Sequence, residues 1–299
     1  MIGTFRPAPH PSRRRVLDPG FLGTRDRAVL ELLHRADVAT TAQLVTLVYR
    51  RRQTAQEHLV ALYRAGWIER AVLPPTTRGG APLAFRLSAR ARRRLGLGPL
   101  TRGRAGTQLR HSLNVTETVA TLVRMKPDGS ESLPVRAWLP ERAAARVGLR
   151  DVFPDSIVAL ALPTGSGVLC LEIDQATEHA PVIRAKLARY EPALRSRHGW
   201  GVLFVVESPV RAAYLARVGR DADCAFRLIG KAWVTVLADL AAEGPGATIR
   251  EITPGGGRTT LAAVLRDPRA RRCSTPVGSD AWIELLAFGG AEDTAEALA

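Results

Sequence analysis

The sequence predicts a two-domain α/β (α+β) protein: a small basic unit made mostly of helices, then a larger unit built around a mixed sheet. Three observations carry this. Apolar residues recur at helical spacing from Thr24 to Ala65 and then give way to two short strand-like runs around a turn. From Arg110 onward, helical and strand-like segments alternate, and together they are expected to complete an αβββαβ arrangement. The charge divides in the same place. Residues 1–110 hold 21 Arg and 6 Asp or Glu, a net +15, whereas residues 111–299 hold 22 Lys or Arg and 22 Asp or Glu and balance to zero. A one-sided basic load on a folded segment is the electrostatic footprint of a polyanionic partner.

Residues 1–22 contain four prolines and the run Arg13-Arg14-Arg15 without apolar periodicity, which predicts a basic flexible arm. A first helix follows from Thr24, with Val29, Leu32 and Leu33 on one face. A second runs from Thr40-Thr41 with Leu44, Leu47 and Val48 inward. The third spans about Thr54 to Ala65, buries Leu59 and Leu62, and closes at Gly66. Trp67–Leu73 and Ala81–Leu87 read as a hairpin, Ser88–Leu95 as a short helix, and residues 97–109 as a linker, so that 23–96 form the first domain.

The second domain is predicted over 110–243, with 244–299 as a C-terminal extension. Arg110–Met125 is its opening helix, Trp138–Glu141 begins another helical stretch, and Ser156–Leu162 and Val168–Ile173 are strands joined by a Gly-rich turn. Ile183, Leu187, Tyr190 and Leu194 place a helix against that sheet. Gly201–Glu207 is a continuous apolar run, the pattern of a buried central strand. A helix from Pro209, a strand-like piece at Ala225–Ile229 and the segment Trp233–Leu240 come next. The extension is predicted to hold a hairpin, 248–252 with 259–265, and a last helix around 281–288.

The chemistry concentrates between Asp151 and Tyr190. Glu172 and Asp174 are two apart on a strand, so their side chains share a face, and Asp155 at the mouth of the neighbouring strand can reach it. Carboxylates converging at a strand end make a hard-oxygen site suited to Mg2+ or Mn2+, with Asp155, Glu172 and Asp174 as metal ligands. The chain has 40 Arg and only 3 Lys, which singles out Lys186 on the following helix as a place that wants a compact ammonium. The plainer alternative is a strand-capping Asp155, an ordinary charge pair and a chance lysine.

Pro154-Asp155 followed by Glu172-x-Asp174 resembles the PD-(D/E)XK nuclease superfamily, with Asp174 standing where that pattern has lysine and Lys186 as the displaced lysine. The resemblance implies Asp155, Glu172, Asp174 and Lys186 as catalytic residues, with Glu141 as a further acid. The three helices and hairpin of Thr24–Leu95 resemble a winged helix-turn-helix. That implies duplex DNA contacts from Arg50, Arg51, Arg52, Gln53, Thr54 and Gln56 at the start of the third helix, and from Arg78 at the wing tip. The whole, and above all FPDSIVAL and LEIDQATEHAPVIRAKLARY, resembles the replication-relaxation family of bacterial mobile elements. This implies a cytoplasmic, DNA-associated protein of a plasmid or integrative element acting in replication, relaxation or transfer. A second copy of the chain and the element's replication or transfer proteins are the further partners it suggests.

Two functions follow: a metal-dependent endonuclease or nickase, or a non-catalytic initiator or regulator with a degenerate nuclease-like domain. A tyrosine relaxase fits less well, because Tyr49, Tyr63, Tyr190 and Tyr214 all fall in apolar helical patterns and no histidine cluster accompanies them. No run approaches ~18 apolar residues, which argues against a membrane span. Cys170, Cys224 and Cys273 are isolated and suggest neither disulfides nor a zinc site.

Overall fold

The computed structural model describes residues 22–49, 51–74, 81–97, 106–123, 135–140, 149, 151–162, 165–197, 199–266 and 283–284. They pack as two units, divided between Glu117 and Thr118. The division falls inside a helix, α5 (Gly106–Val123), and not in the 97–109 stretch read as a linker. Gln43 explains this. Its side-chain amide donates to the Leu113 carbonyl and to Glu117 Oε2, both at 3.0 Å, which ties the first half of α5 to the N-terminal unit.

That unit runs α1 (Thr24–Ala36), β1 (Ala39–Thr40), α2 (Thr41–Leu47), α3 (Arg52–Arg64), β2 (Ile68–Val72), β3 (Leu83–Leu87) and α4 (Ala89–Arg94). Its helices start where backbone donors find acceptors. Asp26 reaches back to the Gly23 N–H, so Thr24 is the first helical residue and not the cap. Thr40 and Gln43 form a reciprocal capping box on α2. Gly66, at φ 78°, ends α3 while Trp67 N–H turns back to the Leu62 carbonyl. Val29, Leu32, Leu33, Leu44, Leu59 and Leu62 fill the core beneath a three-stranded antiparallel sheet in the order β1-β3-β2.

The second unit is an eight-stranded sheet in the order β10-β9-β8-β7-β6-β5-β4-β11. Strands β4 (Val135–Pro140), β5 (Ser156–Leu162) and β6 (Gly165–Asp174) are antiparallel neighbours. Strands β7 (Trp200–Val206) and β8 (Ala232–Val236) continue parallel to β6, behind α6 (Ala180–Arg195) and α7 (Pro209–Arg220). All seven residues of β7 are buried, as a continuous apolar run between two parallel neighbours requires. After α8 (Leu237–Glu243), β9 (Thr248–Glu251) and β10 (Arg258–Thr260) extend the sheet as a hairpin, and α9 (Leu261–Arg266) follows.

Three segments differ from what their patterns predict. Trp138–Pro140 belongs to a strand, not a helix: Trp138 is fully buried and its indole N–H donates to Ser156 Oγ across the β4–β5 pair, and a bulge between Val135 and Ala137 breaks the alternation. Ala225–Leu228 is a turn of 3-10 helix, because its apolar residues lie both inward (Leu228) and outward (Phe226) in a segment too short to span the sheet. Within the stretch expected as a last helix, Ile283–Glu284 form β11, paired to Trp138 and Ala137 of β4.

Close approach also shapes this unit. A Cβ on Gly219 of α7 would lie 2.5 Å from the Ile252 carbonyl oxygen and 3.1 Å from Ile252 Cβ. Gly219→Ala is therefore expected to destabilise the protein by about 1–3 kcal/mol, whereas Val210→Ala, at an exposed site on the same helix, should stay within about 0.5 kcal/mol. Urea midpoints of the two variants check this; equal midpoints would refute the contact.

Candidate active site

The site forms at the end of β6, where the strand leaves the sheet. The β5–β6 register pairs Ser156 with Leu171, and one further step brings Asp155 opposite Glu172. Residues directly opposite in an antiparallel pair present their side chains to the same face. Asp155 sits just outside the strand, behind Pro154, and its Oδ2 accepts the Ile173 N–H at 2.7 Å, closing the ladder with a side chain.

Glu172 is the centre of the cluster. Its side chain is buried on the face covered by α6, where Lys186 and Tyr190 lie at i and i+4 and therefore point the same way. Tyr190 donates its hydroxyl to Oε1 at 2.6 Å and Lys186 its ammonium to Oε2 at 2.8 Å. Lys186 divides its charge, reaching Glu178 Oε1 at 2.8 Å as well.

Asp174 shares the Glu172 face but is held differently. Arg211, capped into the first turn of α7 by Ser208, places Nε and Nη2 at 2.8 and 2.7 Å from Oδ2, while Ala176 N–H donates to Oδ1 at 2.6 Å. Ala176 adopts φ 63°, a left-handed conformation that costs an alanine about 1–2 kcal/mol and that lets the chain turn back onto Asp174. The Arg211 guanidinium also donates to the Glu178 carbonyl.

Burial pushes the Glu172 carboxyl up to about 7, with Asp155 adding to the rise; Lys186 and the Tyr190 hydroxyl offset only part of it. Burial alone would lower Lys186, but Glu172 and Glu178 more than reverse this and hold it above the usual lysine range. Burial and the adjoining Glu172 likewise raise the Tyr190 phenol.

Of the four residues expected in catalysis, Asp155, Glu172 and Lys186 meet around the Glu172 carboxylate, and Asp174 is drawn aside by Arg211. Asp155 and Glu172 are the donors that could hold Mg2+, which one or two carboxylates plus water and phosphate suffice to bind. Asp174, the third expected ligand, is held by Arg211 and the Ala176 N–H, while Glu172 accepts from Lys186 and Tyr190. Among the described residues no group of three or more His, Cys, Asp or Glu is arranged to hold a metal ion.

Glu141, Arg50 and Arg78 lie outside the described residues. Arg51, Arg52, Gln53 and Gln56 are exposed at the start of α3, and Thr54 is half-buried. Gln53 donates to Glu57 across one helical turn. Tyr49, Tyr63 and Tyr190 are buried, and Tyr214 is half-buried under Arg211 and Arg217. Glu178 and Arg211 carry no sequence pattern that points to the site: Glu178 is one more acid within LEIDQATE, and Arg211 lies 37 residues from Asp174 with no local signal.

This is a protein with a helical basic unit and a mixed-sheet unit bearing a buried acid–lysine cluster. A family model described as replication-relaxation matches residues 30–202, and the chain belongs to that family. No curated protein and no solved structure matches it. Among the described residues no helix is long and apolar enough to cross a membrane.

A raised carboxyl stabilises the fold while protonated. The contribution of Glu172 is complete below its unfolded value near 4.5 and is lost as pH rises through about 7, a change of about 3 kcal/mol. Urea unfolding of wild type and Glu172→Gln across this range should show the variant gaining on wild type by that amount as pH rises. A difference independent of pH would contradict the assignment.

Proposed function

We propose that this protein binds duplex DNA of a mobile element through a winged helix-turn-helix in its first unit and nicks it with a PD-(D/E)XK-like centre in its second. The observation that carries the cleavage reading is Lys186 Nζ at 2.8 Å from Glu172, on the strand opposite Asp155. The element order α5-β4-β5-β6-α6-β7 supports it, since it supplies αβββαβ with the acids at the strand ends. In the first unit, support comes from the order α1-β1-α2-α3-β2-β3 and from the exposed Arg and Gln side chains where α3 begins.

Asp155 and Glu172 would hold Mg2+ or Mn2+, which supplies charge neutralisation at the phosphate oxygens and lowers the pKa of bound water. Lys186 adds a fixed positive charge where negative charge develops on the phosphate. Tyr190 holds the Glu172 carboxylate in one rotamer. Asp174, tied by Arg211, braces the turn into α6.

A second reading has its own observation. Both oxygens of Asp174 and both of Glu172 already accept hydrogen bonds, the arrangement of a cluster that serves only to fasten helices to a sheet. The protein would then be a non-catalytic DNA-binding initiator or regulator.

Conversion of supercoiled plasmid carrying the element's origin region, with Mg2+ or Mn2+, separates the two. Nicked or linear product is expected from wild type, none from Asp155→Ala or Glu172→Gln, and about 100-fold or more loss from Lys186→Met. Full DNA binding with no product under either metal would establish the non-catalytic reading.

A further inference from the structure

We infer that α4 is a second DNA-contacting element, one that grips phosphates through Arg90, Arg93 and Arg94; the inference rests on the DNA-binding reading above. These three residues are all exposed and stand at i, i+3 and i+4, so their guanidiniums crowd one face of a single helical turn. None has a carboxylate or other polar partner among the described residues. Other arginines of the chain do: Arg35 pairs with Glu31, Arg86 with Glu69, Arg195 with Glu191 and Arg211 with Asp174. Three like charges without a counter-charge repel one another, and a polyanion relieves that repulsion.

The anchoring of α4 sets its distance from the start of α3. Ser88, its N-cap, donates Oγ–H to the Gly66 carbonyl at 2.6 Å, and Ser88 N–H donates to the Trp67 carbonyl at 3.0 Å. The start of α4 is thereby fixed to the far end of α3 from Arg51 and Arg52. With 13 residues, α3 is roughly 20 Å long at ~1.5 Å per residue. On this reading the entry of α3 occupies the groove and α4 the phosphates that flank it. Its contacts position the protein and do not read bases.

The test is fluorescence anisotropy of the full-length protein on a labelled mixed-sequence duplex of about 30 base pairs, from about 50 to about 200 mM salt. Loss of three phosphate contacts in Arg90→Gln/Arg93→Gln/Arg94→Gln should flatten the log–log salt slope by about 2.7. Over that fourfold rise, wild type should then lose about 40-fold more affinity than the variant. A control, Arg217→Gln/Arg220→Gln/Arg258→Gln, removes the same charge from exposed sites of the second unit and should keep the wild-type slope. Wild-type slope in the α4 variant, or an equal flattening in the control, would overturn the inference while leaving DNA binding in place. Absence of wild-type binding would overturn both.

Discussion

The second unit depends on one buried carboxylate. Glu172 sits at the end of a strand, under a helix, where an unpaired charge would be intolerable. Two residues one turn apart on α6 satisfy it. The same two hydrogen bonds fasten that helix to the sheet end. Lys186 continues to Glu178, Arg211 takes the Glu178 carbonyl and Asp174, and Ala176 accepts a strained backbone so that Asp174 can be reached. The turn between β6 and α6 is thus held from three sides by groups that all answer to charge buried at the strand end.

The first unit has the opposite economy. Its core is apolar packing with Gln43, Ser88 and Arg92 buried alongside, and the arginines where α3 begins face outward. On α3, Leu59 and Leu62 turn in while Arg52, Gln53 and Gln56 turn out. Helix identity comes from one face and chemistry from the other.

How far the sequence could be read follows from this contrast. Local signals sufficed where one face is apolar and the other polar: α1, α2, α3, the hairpin and α6 stand close to where periodicity put them. The acids of β6 were legible because two-residue spacing on a strand dictates a common face. β4 was not, since Trp138 and Leu139 are neighbours on opposite faces of a strand buried on both, a pattern that mimics a helix. The partner of Asp174 was not legible either, being a tertiary contact with no local trace. Lysine scarcity is an unspecific guide: Lys186 contacts Glu172 and Glu178. Lys231 is equally rare, and its ammonium sits on the Leu194 and Arg197 carbonyls at the end of α6, a capping role.

The eight-stranded sheet finishes, among the described residues, in β10 with three residues and β11 with two. So short a margin as β10 leaves little exposed backbone ladder for a foreign strand to copy. Arg258, directly across from Arg250, adds a like-charge pair there. A protein rich in Val, Leu and Ala strands thereby keeps its most adhesive surface, the continuous apolar ladder of β5 to β8, in the middle of the sheet, where another molecule's edge cannot add to it.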